Sequence, residues 1–188
     1  MTSRGEAIKE LFSEKRLSKY SDLNDYLDNI KISQKYYPEL HLIEIGLRNK
    51  IDKVLLKNLG SNWIIKNKQY IPKEQLSKIG PQNFHDDILS NLTFGTWIHL
   101  LSKCYKVFGD HDLSYIFGIS KKQVNQQFKN LCNELKLIKN FRNRIFHYEK
   151  INNHSQYKNI DHLINKFINL LDIEEVLKDS LSKIKISS

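Results

Sequence analysis

Apolar residues recur along this chain at intervals of three and four, and runs that alternate apolar with polar residues are scarce. With only 7 Gly and 3 Pro to interrupt it, the pattern predicts an all-α fold. A short helix is predicted around Glu6 to Phe12 and another near Tyr20 to Ile30. Pro38 suits the first turn of a longer helix that ends before Gly60 and carries Leu40, Ile43, Leu47, Ile51 and Val54 along one face. His41, Glu44, Arg48 and Asp52 follow on the other side, where Glu44 to Arg48 is the favourable orientation for an ion pair one turn apart. Pro72, Gly80 and Pro81 break the middle region into two shorter helices, followed by a more apolar one from about Thr93 to Phe108 that Gly109 closes. Ser120 and Gln123 form a capping-box signature, and the periodicity then continues to about Ile151 as the longest helix expected. The remainder, residues 155–184, reads as one or two helices with Leu163, Phe167, Leu170 and Leu171 as the core stripe.

At 188 residues and 40% hydrophobic content the chain fits one domain, 1–188, made of N-terminal helices 1–60, middle helices 72–108, a motif helix 120–151 and C-terminal helices 155–184. Lys and Arg outnumber Asp and Glu by 30 to 21, a formal net charge of +9, which favours a polyanionic partner. Solubility and a Lys-rich composition account for the charge equally well, so it supports an RNA partner without establishing one. The opening MTSRGEAIKELF holds no apolar stretch of signal-peptide length, and no segment approaches the ~18 apolar residues of a membrane span. A cytoplasmic protein with no membrane contact is expected. Cys104 and Cys132 lack a CxxC or Cys/His ligand spacing and sit in apolar periodic segments, so both are expected as reduced core thiols, with no metal site and no cofactor.

One position breaks the pattern. Phe128, Leu131, Leu135, Ile138 and Ile145 keep a spacing of three or four, and the slot between the last two holds Arg142. A charge in an apolar stripe is costly unless it is paired or faces an anion. Asn143 follows it and His147 completes the segment FRNRIFHYEK. At about 100° per residue, Asn143 and His147 share a face, whereas Arg142 and His147 stand roughly 140° apart. Either the arginine bends around, or the helix distorts near Phe146, or two copies of the helix share a pocket in a dimer. The shared pocket is preferred, because an arginine in an apolar stripe is readily satisfied in a cleft between subunits.

Arg142-Asn143 followed by three residues and His147 resembles the Arg, four to six residues, His motif of HEPN ribonucleases, and the fuller RNRIFHYEKI resembles bacterial Abi-like abortive-infection proteins. LIEIGLRNKID, residues 42–52, and LTFGTWIHLL, residues 92–101, are similar to segments that those proteins carry ahead of the motif, so the resemblance spans about Tyr20 to Ile151. It implies a HEPN-like helical bundle, a homodimer and metal-independent RNA cleavage. Two departures stand out: Tyr148 occupies the place where a second histidine is frequent, and the His-x-Tyr pattern of HEPN toxins paired with nucleotidyltransferase antitoxins is absent. Arg48-Asn49 is similar to a second copy of the motif but has no histidine at the required distance, so a structural Arg48 tied to Glu44 is expected.

RNA carries its own nucleophile, the 2′-OH, so cleavage needs only proton transfer and charge stabilisation. A histidine exchanges protons near neutral pH, which suits His147 to general acid or base work. The planar fork of Arg142 matches two phosphate oxygens, and Asn143 would orient the imidazole or the phosphate. Lys139, Arg144 and Lys150 flank the motif and could grip neighbouring phosphates without reading bases. Phe146 and Tyr148 are expected to pack in the core or an interface rather than to stack on bases. The other six histidines are assigned no role. The function expected is a metal-independent HEPN endoribonuclease of a phage-defence or toxin-antitoxin system, restrained by a noncoding RNA. The alternatives are a non-catalytic RNA-binding module, a toxin paired with a protein antitoxin, and a protein-interaction subunit.

Overall fold

A computed structural model of the chain describes residues 4–77, 79, 84–103, 105–152 and 154–174, and every regular element among them is a helix. Two short helices, α1 (Arg4–Phe12) and α2 (Glu14–Leu17), precede the long α3 (Leu23–Leu59). The start of α3 is fixed by its N-cap, the Asp22 carboxylate accepting the Asp25 N–H at 2.9 Å, and Asp25 in turn accepts the N–H of the preceding Ser21 at 3.1 Å. It stops at Gly60, whose φ of +85° a glycine adopts without strain. The small α4 (Trp63–Lys66), α5 (Lys73–Leu76) and α6 (His85–Asn91) lead into the apolar α7 (Phe94–Lys103). Then come α8 (Asp110–Phe117), α9 (Lys121–Phe146) and α10 (Ile160–Leu170).

The predicted stripes form the core, except that Phe128 and Leu170 are only partly buried at its edge. Leu40, Ile43, Leu47, Ile51 and Val54 of α3 are all buried, as are Leu131, Leu135, Ile138 and Ile145 of α9 and Leu163 and Phe167 of α10. Each such side chain contributes about 1.5–3 kcal/mol on burial. α9 packs on α7 and α8 and also meets α3 and α10, so one apolar core joins the helices. The Ser120–Gln123 capping box that starts α9 is formed, with the Ser120 N–H donating to the glutamine Oε1 at 3.0 Å. Cys132 is buried and its thiol free, and burial pushes it up to about 11. No helix among the described residues is long and apolar enough to cross a membrane.

Several boundaries differ from expectation. Pro38 does not start a helix: α3 runs through it from Leu23, merging the element predicted near Tyr20 to Ile30 with the next. Pro38 has no N–H to donate to the Gln34 carbonyl, a loss of up to about 3 kcal/mol. Burial of Tyr26, Tyr36 and Leu40 on one continuous stripe outweighs it. The apolar helix predicted to reach Phe108 ends at Lys103, and Gly109 is the N-cap of α8, which the periodicity did not reveal. α9 ends at Phe146, five residues before Ile151. Cys104, Gly80, Pro81 and the C-terminal stretch 175–184 lie outside the described residues.

Candidate functional site

The end of α9 is where the motif lies, and its geometry follows from how the helix stops. The Tyr148 N–H donates to the Ile145 carbonyl at 3.0 Å and the Glu149 N–H to the Arg144 carbonyl at 2.8 Å. This pair of bonds is a Schellman cap, which needs a left-handed residue after the cap position, usually glycine. Here that residue is Tyr148, with φ +56°. His147 is therefore the C-cap itself, its N–H bonded to the Asn143 carbonyl at 2.9 Å and its side chain exposed.

The turn after the cap is clamped from both sides. Arg144 donates to the Lys150 carbonyl from Nε at 3.2 Å and Nη2 at 2.8 Å, and Nη1 pairs with Glu149 at 3.1 Å. From α3, the buried Asn29 donates to the Glu149 carbonyl at 3.2 Å, while its Oδ1 accepts the N–H of Ile151 at 2.7 Å and of Asn152 at 3.3 Å. Lys150 reaches Asp25 at 2.7 Å and the Lys19 carbonyl at 3.1 Å, with its ammonium 5.0 Å from the Tyr20 ring centre. Its hydrogen bond, with those from the Ser21 N–H and Asn152, holds the Asp25 carboxyl down at about 2. Arg16 donates to the Tyr148 carbonyl at 3.1 Å.

These contacts separate the motif residues into two groups. His147 walls a pocket of about 250 Å³ with Lys15, Arg16, Lys19, Glu149 and Lys150. Arg142 belongs to another set of neighbours: Nε pairs with Glu44 of α3 at 3.1 Å, Nη1 donates to Asn143 Oδ1 at 3.4 Å, and Cζ lies 4.0 Å from the Phe146 ring centre. Phe146 stacks on Tyr37 at 5.3 Å, and Tyr37 is parallel to His41 at 6.5 Å. No side-chain hydrogen bond among the described residues joins His147 to Arg142 or Asn143. Glu44 thus turns to Arg142 and not to Arg48, whose Nε bonds Asn49 at 3.2 Å. The charge in the apolar stripe is met within one chain, which removes the reason for placing it in a cleft between subunits.

The flanking cations also divide. Arg144 and Lys150 are engaged by the turn they hold, whereas the Lys139 ammonium has no hydrogen bond or ion pair among the described residues. Tyr148 is 73% exposed, outside the core in this single chain, and it also walls a second, apolar groove between α3 and α9. Sequence reasoning missed Asn29 and Asp25. For Asn29 the signal was present: Tyr26, Asn29, Ser33, Tyr36 and Leu40 keep the core spacing, so an asparagine sits on a buried stripe. It also missed Asp52, placed on the polar face but buried, where it accepts Trp63 Nε1 at 2.8 Å and meets His85 Nε2 at 2.9 Å. Among the described residues no group of three or more His, Cys, Asp or Glu gathers as metal ligands. No protein-family model, no curated protein and no solved structure matches this chain.

Proposed function

We propose that this protein is a HEPN-type endoribonuclease that cuts RNA through the 2′-OH, restrained in the cell by a noncoding RNA and serving phage defence or a toxin-antitoxin pair. The observation that carries the reading is His147, an exposed residue whose backbone is the C-cap of α9 and which shares a pocket with Lys15, Arg16, Lys19 and Lys150 as well as the Glu149 carboxylate. Cations around a proton-transfer group are what a phosphodiester needs. His147 takes the 2′-OH proton as the oxygen closes on phosphorus, and the imidazolium so formed returns that proton to the 5′-oxygen as its bond to phosphorus breaks. Products are a 2′,3′-cyclic phosphate and a 5′-hydroxyl. An RNA phosphate would displace the Glu44 carboxylate from the Arg142 fork, with Asn143 holding the guanidinium and Lys139 reaching a neighbouring phosphate. The homodimer that the resemblance implies and a cytoplasmic location belong to the proposal.

The test is cleavage of labelled RNA in EDTA with analysis of both ends. His147→Ala should lower the rate by about 10² or more while leaving helical content unchanged. Wild-type rates from that variant, or 3′-hydroxyl products that require magnesium, would sink the mechanism. A second reading, an RNA-binding module without cleavage, is favoured by the pairing of Arg142 with Glu44, which occupies the fork; it predicts RNA binding and no products from the wild-type chain.

A further inference from the structure

The groove beside the His147 pocket has a different chemistry. It encloses about 770 Å³ between α3 and the end of α9, with Tyr37, Pro38, Phe146 and Tyr148 among its walls. Tyr37 is 52% exposed and Tyr148 73%. Tyr148 also holds a left-handed backbone where glycine is usual, at a cost of roughly 1–2 kcal/mol. A strained, exposed aromatic adds little to folding, and such strain clusters where a side chain is aimed at a ligand.

Tyr148 is a wall of both spaces, so the apolar groove adjoins the cationic pocket. In that pocket the ammonium groups of Lys15 and Lys19 make no ion pair among the described residues. A ligand that matches both halves has a flat apolar ring joined to an anion. An apolar peptide, or an apolar face of a second copy, fills the groove and leaves the cations unused. We infer that the groove seats one unpaired nucleobase of an RNA strand against the aromatic wall of Tyr37 and Tyr148, while the phosphate of that nucleotide lies in the His147 pocket. This deepens the RNA reading and rests on it. A paired base cannot leave its stack without unpairing, so the site selects single-stranded RNA.

The test uses the full chain and a short single-stranded oligonucleotide with 2′-O-methyl sugars, which blocks cleavage, and one 2-aminopurine. Binding should quench the 2-aminopurine. Tyr37→Ala and Tyr148→Ala should each weaken affinity by about 5- to 100-fold, and Tyr148→Phe should keep it. An oligonucleotide abasic at that position should bind wild type as weakly and no longer respond to Tyr148→Ala. Equal affinity for the abasic and intact strands, or for a duplex, overturns the inference. So does a Tyr148→Ala chain with unchanged affinity and an altered sedimentation coefficient, which assigns the groove to a second copy. Should Tyr37→Ala fail to fold, the exposed Tyr148 pair decides. Cleavage separates the readings: tyrosine effects without wild-type cleavage leave the base seat and remove the ribonuclease, and cleavage lost in His147→Ala without tyrosine effects does the reverse.

Discussion

Two residues with positive φ bear opposite relations to their side chains. Gly118 ends α8 at φ +62°, and a Cβ there would stand 2.9 Å from the Leu170 carbonyl. Gly118→Ala should therefore lower the unfolding free energy by about 1–2 kcal/mol or more, seen as an earlier urea midpoint at constant slope. Tyr148 is the converse, a large side chain where glycine fits, with little burial to lose. Tyr148→Gly should raise stability by about 1 kcal/mol and weaken RNA binding. A loss of stability in that variant would show that its ring packs usefully after all.

At the scale of elements, the turn after α9 is tied to the start of α3 by the Lys150–Asp25 pair. Lys150 holds the Asp25 carboxyl at about 2, below its ordinary 3.8. Its contribution is fully present above pH 3.8 and lost as pH falls through about 2. In urea titrations the wild-type midpoint should fall over that window, whereas Asp25→Asn should start lower at neutral pH and show a flatter profile; parallel profiles would remove this pair from the acid response. This tie also explains what could and could not be read from sequence. The stripes of α3, α9 and α10 were legible because burial repeats with the helical period. The end of α9 was not, because its left-handed residue is a tyrosine rather than a glycine and Ile151 continues the apolar series. The partner of Arg142 was hidden for another reason: Glu44 lies 98 positions away, and local spacing favoured Arg48. His147 and Arg142 could be picked out singly, but not that α3 would keep them in different company.

For the molecule as a whole, the +9 charge is the property most open to test. Protein purified at low salt should carry a defined small RNA, visible as excess ultraviolet absorbance and identified by sequencing, and high salt should strip it. A nucleic-acid-free preparation would count against both RNA readings. The clamp on the turn after α9 has a consequence in time. Arg16 and Tyr148 are 132 positions apart, and Asn29 and Glu149 are 120 apart. Closing a loop of that length costs roughly 4 kcal/mol of chain entropy before any contact repays it. Helices can nucleate alone, but this site forms only when distant parts of the chain meet, so it is a late event in folding. A nascent chain holds no assembled site until residues 148–152 have left the ribosome, and synthesis itself delays the closing of the His147 pocket.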